Sequence, residues 1–295
     1  MTKIAFYAPG SRHYDNGLFE NNAHSFVNIS ITGTQCQCNC EHCQGQLLNT
    51  MVSATKPELL VSLATDLCSR GCRGVLVSGG ACSDGSVPLM PFISALKEMA
   101  AMGLSVVVHP GLLTAETAEL LAQANITRVA LDLIGDSDTI RDVYHLQRTP
   151  KDYHNSLQVA RRAGLKVSPH IVLGLHFGQI RGEYHALNMV AAEGATSLVL
   201  VILNPLRNTR MSEVIPPPPE EIAEIFTTAR RLLPTTPITL GCARPPGNYS
   251  RTIERLAVEA GLNAIAYPAR ETVDYVQSLG YDITYLETCC GIASN

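Results

Sequence analysis

Cys36-Gln37-Cys38-Asn39-Cys40-Glu41-His42-Cys43 sets four thiols within eight residues, a density that core packing does not require. Soft side chains spaced this closely point to zinc, to an iron–sulfur cluster or to a disulfide knot. Taking Cys36, Cys40 and Cys43 as ligands gives the spacing C-x3-C-x2-C, three thiolates on one loop. A 4Fe-4S cube held by three protein thiolates keeps one iron open to a non-protein ligand, whereas a structural zinc takes four donors and a closed shell. Three thiolates with an open corner suit a reactive cluster. Counting Cys38 as a fourth ligand gives instead a zinc-stabilised loop, such as a binding protein without enzymatic activity would carry.

The rest of the composition bounds the answer. The 295 residues are 46% hydrophobic and 16% charged, with no Trp, so aliphatic side chains must supply most of the buried volume. That favours packed α/β layers over an all-β sandwich. The first nine residues lack the charged and apolar regions of a signal peptide, and the longest aliphatic run, 198–203, is only six residues. A soluble, cytoplasmic protein is expected. In that compartment the ten cysteines should be reduced, so clustered ones point to metal before disulfide. A net charge of −4 argues against nonspecific nucleic-acid binding.

Residues 1–25 show no clear period and read as an irregular lead-in. From residue 26 onward, β-branched runs alternate with amphipathic helical stretches. Strand candidates fall at 27–32, 74–78, 104–108, 128–133, 166–173, 197–203, 237–240 and 264–267. Helix candidates lie between them at 57–69, 91–102, 115–124, 151–163 and 219–233. Repeated βα units imply a parallel sheet with right-handed crossovers, and about seven or eight of them imply a TIM-like (βα) barrel. It would span 26–280, followed by a short cysteine-bearing tail at 281–295. The four prolines at 216–219 read as a stiff connection.

Barrel active sites are assembled from loops at the carboxyl ends of the strands. Here those loops carry the cysteines, then Ser78-Gly79-Gly80-Ala81-Cys82, His109-Pro110-Gly111, Asp132, Pro169-His170, Gly174-Leu175-His176, and Gly241-Cys242-Ala243-Arg244-Pro245. The opposite loops, such as Arg162-Ala163-Gly164, are plain helix stops. His109, His170 and His176 all fall at strand ends, where a histidine either faces a ligand or is a hydrogen-bonded core residue. Arg141 and Arg148 have forks suited to a carboxylate but are equally explained as solvated helix charges. Cys68 and Cys72, at the far end of a helix, read as structural.

The cysteine spacing resembles the signature of the radical S-adenosylmethionine (SAM) enzymes, in which the open iron of a 4Fe-4S cluster chelates SAM. His42 stands where that family usually has an aromatic residue, and Cys38 is an extra thiol. The resemblance implies Cys36, Cys40 and Cys43 as cluster ligands and a SAM site around Ser78, Gly79, Gly80, His109, Asp132, His170 and Gly174. The glycines would offer backbone to the amino group of SAM where a Cβ would block the approach. Segment 169–174 would pack on the adenine.

A closer resemblance rests on Ile31-Thr32-Gly33, Gly85-Ser86-Val87-Pro88-Leu89, Val108-His109-Pro110-Gly111, Gly182-Glu183 and Gly241-Cys242-Ala243-Arg244-Pro245. Over residues 27–268 these are similar to the two-component, archaeal-type lipoyl synthases, proteins often labelled biotin synthase-like. Implied is radical insertion of sulfur into an octanoyl chain on a lipoyl-bearing protein, with a second iron–sulfur cluster as sulfur source. The implied partners are a related radical SAM sister subunit, the octanoylated lipoyl-bearing protein, and an electron donor such as ferredoxin or flavodoxin. Candidate ligands of the second cluster are Cys242, Cys289 and Cys290, with Cys82 as the fourth and Cys38 as its rival. The first and eighth strands of a closed barrel are neighbours, so the tail is expected to fold back over the mouth. Biotin synthase-type insertion into dethiobiotin is the alternative reaction.

Overall fold

The valine- and isoleucine-rich runs all become strands of one parallel sheet. A computed structural model describes residues 2–293; Met1 of the lead-in and the last two residues of the tail lie outside them. The strands are β1 (Lys3–Tyr7), β2 (Phe26–Ser30), β3 (Val52–Ser53), β4 (Gly74–Ser78), β5 (Ser105–Val108), β6 (Arg128–Asp132), β7 (Val167–Leu173), β8 (Leu198–Ile202), β9 (Ile238–Leu240), β10 (Ala264–Ala266) and β11 (Asp282–Leu286). The helices are α1 (Pro57–Ser69), α2 (Ile93–Ala101), α3 (Ala115–Gln123), α4 (Ser137–Asp142), α5 (Pro150–Arg162), α6 (Glu183–Glu193), α7 (Pro219–Leu232), α8 (Asn248–Glu259) and α9 (Arg270–Ser278).

Local chemistry sets the helix ends. In α5 Pro150 occupies the first turn, and the Asp152 carboxylate accepts from Thr149 N–H at 2.7 Å and from Thr149 Oγ1 at 2.8 Å. The proline run ends by starting α7, whose first turn carries Glu220 and Glu221 and whose last carries Arg230 and Arg231, matching the helix dipole. Ile222, Ile225, Phe226 and Ala229, spaced three and four apart, form its buried stripe.

The sheet order is β11-β1-β10-β9-β8-β7-β6-β5-β4-β2-β3, and every pair is parallel. It is a curled half-barrel that does not close. The expected pairing of the first and eighth strand candidates is therefore absent: β10 pairs with β9 and β1, while β2 pairs with β3 and β4. The lead-in is not irregular throughout, because residues 3–7 form β1 between β10 and β11. No helix follows β1, so the βα rhythm that flags the other strands is missing there. β11 also escapes notice, because its residues are only partly buried.

Side chains alternate across each strand, so one face of the sheet packs on the helices and the other lines the concave side. The concave set includes Tyr7, Val199, Val201, Ala264 and Ala266 on one flank and Phe26, Val107 and Ala130 on the other. Many of these are small, and the space they leave is filled by the tail. A turn at residues 289–292 enters the concavity: Ser168 Oγ and Ser197 Oγ donate to Gly291 O at 2.5 and 3.1 Å, and Arg128 Nη2 donates to Ile292 O at 3.2 Å. The tail thus lies inside the half-barrel and not across its mouth.

Candidate active site

The cysteine loop is fixed from three sides. Ser30 Oγ donates to Gly33 O at 2.6 Å and turns the chain out of β2. Gln37 N–H donates to Ala81 O at 2.9 Å and Gly80 N–H to Thr32 Oγ1 at 2.7 Å, joining the loop to the one after β4. Glu41 accepts from Arg210 Nη1 at 2.6 Å and lies 2.9 Å from His145 Nε2. Arg210 N–H also donates to Gln44 Oε1 at 3.0 Å, and Gln46 Nε2 to Asn208 O at 3.1 Å.

All ten cysteines are free thiols. Cys36, Cys38, Cys40 and Cys43 form a string in which each thiol bears on the titration of the next. Bonds from Cys36 and Cys40 hold the Cys38 thiol low, and Cys40, helped by His42, does the same for Cys43. Cys36 and Cys40, which supply the protons, are pushed up. Among the described residues, no three Cys, His, Asp or Glu side chains converge as a grip for a single metal ion. A single zinc draws its donors together on one centre, whereas a cube spreads three thiolates over three irons. His42 occupies the family's aromatic position in kind, its ring 5.3 Å from Tyr144, but its buried Nδ1 has no partner.

A cavity of about 100 Å³ adjoins the string. Cys36, Cys38, Cys40, Gly79, His109, Asp132 and the rings of Tyr144 and Tyr153 line it. The other expected SAM residues sit elsewhere. Ser78 Oγ donates to His109 O at 2.9 Å, and Gly80 packs its bare Cα on Cys36. Gly174, at φ +77°, presses on Pro217 while its N–H donates to buried Glu183 at 2.8 Å. His170 lies deeper, with Gly291 beside it. His176 is held by Thr139 at 3.2 Å and Arg181 at 3.0 Å. Arg141 pairs with Asp138 and Asp142, and Arg148 Nε donates to Asp84 O.

His109 Nε2 stands 3.3 Å from Asp132 Oδ1. Burial disfavours protonation of His109, yet the Asp132 carboxylate outweighs it and the imidazole is raised above its ordinary value. Burial likewise opposes the Asp132 charge, and His109 more than offsets it. His170, 6.3 Å from His109 between ring centroids, is lowered to about 4 by burial.

A second thiol group lies on the concave face. Cys290 is buried and hydrogen-bonded to both Cys242 and Cys289. Cys242 is held down to about 6, chiefly by the Cys290 hydrogen bond, with Arg12 and Arg244 adding to it. Arg244 fixes the loop after β9: it donates to the carbonyls of Gly241, Ala266 and Tyr267 and pairs with Glu254 at 2.7 Å. Cys82 is not brought to this group. A tight turn, with Cys82 N–H donating to Ser86 O and Gly85 N–H to Cys82 O, keeps it after β4, where Cys38 Sγ lies 3.2 Å from its carbonyl oxygen. Cys38, the rival fourth ligand, belongs to the first string. Cys72, as expected of a structural thiol, is buried against Gly74 O at 3.2 Å.

Residues 30–180 match the family model described as the radical SAM superfamily. The chain belongs to the radical SAM superfamily. It is 30% identical over 172 residues to the biotin synthase of Methylobacterium nodulans, covering 57% of this chain and 50% of that protein. With the biotin synthase of Rhizobium rhizogenes it shares 26% identity over 257 residues, covering 81% and 74%. The FeFe-hydrogenase maturase HydG of Carboxydothermus hydrogenoformans shares the fold at TM-score 0.61 and 17% identity, covering 96% of this chain and 68% of that one.

As a radical SAM protein the chain takes a 4Fe-4S cluster and SAM. Its residues fit them: three thiols in an anchored loop, a cavity beside them, and an orphaned imidazole nitrogen. On the concave face a second orphan faces the tail thiols, because Arg128 is 4% exposed yet its Nε and Nη1 have no partner among the described residues. Buried donors without acceptors are rare, and such a cation calls for an anionic guest. Arg128, Tyr144 and Tyr153 were not singled out from sequence. Arg128 did leave a signal: it and Asp132 frame an apolar strand, and residues two and four apart share a face.

Proposed function

We propose that the chain inserts sulfur into an octanoyl chain carried on a lipoyl-bearing protein, as one subunit of a two-component lipoyl synthase. The carrying observation is two thiol groups on one half-barrel, with Asp132 and His109 lining the cavity beside one and His170 beside the tail that carries the other. When bound, the cluster and SAM supply a carbon-centred radical able to take hydrogen from an unactivated C–H bond, which no side-chain base can deprotonate. Cys36, Cys40 and Cys43 would hold the cluster, and Gly79, His109 and Asp132 would position SAM. Tyr144 and Tyr153 keep the cavity dry, where orientation contributes most. Cys242, Cys289 and Cys290 would hold the sulfur source. Half-exposed Phe177 and exposed Ile215, on the loops after β7 and β8, give the mouth apolar surface suited to an acyl chain delivered by another protein. The reading includes a related sister subunit, a ferredoxin- or flavodoxin-like electron donor, and a cytoplasmic setting that keeps thiols reduced. No described helix is long and apolar enough to cross a membrane.

The names of the relatives favour a second reading, insertion into dethiobiotin. Anaerobic incubation with SAM and reductant, offering an octanoylated peptide or dethiobiotin, separates the two by mass spectrometry. Sulfur gained by the acyl chain supports the first. Conversion of dethiobiotin alone replaces it with the second, and sulfur in neither product ends both.

A further inference from the structure

The loops after β9 and β10 enclose, with residues 12–16, a cleft of about 480 Å³ on the side of the half-barrel away from the SAM cavity's cysteines. Four arginines and two carboxylates line it, and Cys242 is exposed within it. Three of the arginines are already engaged, Arg244 by Glu254, Arg251 by Glu271 and Arg270 by Asp274, which leaves Arg12 as the cation open to a guest. Arg12 lies 3.8 Å above the Tyr267 ring and makes no ion pair among the described residues. Tyr267 holds that ring in place at φ +50°, a left-handed conformation that a bulky residue adopts only when its surroundings enforce it, with its hydroxyl donating to Pro9 O at 2.7 Å. Behind Cys242 the thiols continue inward: Cys290 is 5% exposed, and Cys242 on one side and Cys289 on the other are its neighbouring thiols. Cys289 packs with Phe26, Val107 and Ala130 at the floor of the concavity, where Arg128 has its two unpartnered donors. A solvent-facing thiol, a buried thiol and a lumen thiol therefore follow one another from an opening beside Arg12 to the buried Arg128.

We propose that Cys242, Cys290 and Cys289 form a relay that admits sulfane sulfur from an anionic persulfide donor in the arginine-lined cleft and carries it to the concave face beside Arg128. The inference rests on the sulfur-insertion reading and concerns the cluster-free chain, in which these three thiols are not yet ligands of the sulfur source. In the first step Cys242 Sγ bonds to the outer sulfur of the donor, the donor's S–S bond breaks, and the donor leaves as a thiol carrying the proton that Cys242 gives up. In the second, Cys290 Sγ takes the outer sulfur from Cys242, which regains a proton as Cys290 loses one. Cys289 repeats the exchange. Sulfur stays at the sulfane level throughout, so no external electrons are needed. Arg12 holds the donor's charge at the opening, and Arg128 offers its free N–H groups to the persulfide anion at the end.

The test uses the full chain, reduced and metal-free, incubated anaerobically with glutathione persulfide and quenched by alkylation before peptide mass spectrometry. Cys242 is expected to load at least about ten-fold faster than half-buried Cys68, with sulfur appearing afterwards on Cys290 and Cys289. Cys242→Ser, an exposed and conservative change, should abolish loading of the two inner thiols, and Arg12→Gln should slow loading of Cys242. Equal loading of Cys242 and Cys68, or inner thiols loaded at the unaltered rate in Cys242→Ser, would overturn the relay. SAM, substrate and cluster are absent from the assay. A chain that relays sulfur but inserts none would sink the proposed function alone, and one that inserts sulfur without relaying it would sink the relay alone.

Discussion

Gly80 presses its Cα against Cys36 so closely that a Cβ on it would fall 2.6 Å from both the Cα and the Cβ of Cys36. The backbone of the cysteine loop cannot retreat, because Gln37 is bonded to Ala81 just beyond it. Gly80→Ala should therefore displace Cys36 and lose the SAM-cleaving cluster, lowering reconstituted iron by about four atoms per chain. At Gly79 an added Cβ meets no backbone so closely, only the Thr32 and Ile31 side chains at 2.9 to 3.2 Å, so Gly79→Ala should lose less iron than Gly80→Ala. Iron and sulfide analysis after anaerobic reconstitution checks both; full iron in Gly80→Ala would refute the steric argument.

The His109–Asp132 pair should leave a signature in stability against pH. His109 is raised in the folded chain, so its contribution is complete below its ordinary value of about 6.5 and fades as pH rises through the higher folded value. Asp132 is lowered, so its contribution is present above about 3.9 and fades as pH falls through the lower folded value. The pair thus stabilises most between those limits. His109→Gln should remove the decline above neutrality, read from urea unfolding between pH 6 and 9, and an unchanged slope would argue against the pairing.

Arg244 and Glu254 are 4% and 1% exposed in their side chains, and each has further bonds, Glu254 accepting from Ser250, Ala269 N–H and Thr272. Removing one partner strands a buried charge. Arg244→Met should cost about 3–5 kcal/mol, whereas the double change Arg244→Met with Glu254→Leu should recover much of it. Thermal unfolding of the metal-free chain measures both, and a single variant as stable as the parent would show that the charge finds another partner.

Arg128 is expected to behave in the opposite way. Its unpartnered Nε and Nη1 are a cost in the empty chain, so Arg128→Met should stabilise the metal-free protein by about 1–3 kcal/mol. Chemical denaturation gives the answer. A loss of stability instead would mean that the guanidinium is already satisfied without a guest.

The parts of this architecture that repeat were legible in sequence, and the parts that occur once were not. Strands β4 to β10 each precede or follow an amphipathic helix, so their period announces them. β1 has only an irregular stretch after it, and β11 has polar and apolar residues with no strongly buried face. The cysteine loop was readable because its spacing is local. The meeting of Cys242 with Cys290 was readable only as a list of thiols without a path, since it depends on small residues such as Ala264 and Ala266 leaving room for the tail. Gly80 was assigned to a ligand because glycine at a strand end signals close approach without saying of what. The answer, the backbone of Cys36, lies in another loop. Cys82 was misplaced for the same reason, as sequence does not tell which way a turn faces.

The clasp between Arg210 and the cysteine loop ties two clocks together. The loop after β8 carries Ile215 at the mouth and, through Arg210 and Asn208, makes bonds to Glu41, Gln44 and Gln46 around Cys43. A visitor that leans on the mouth therefore leans on the thiols. If an acyl cargo docks there as proposed, its push on this loop would reach the seat of the cofactor through the same three hydrogen bonds.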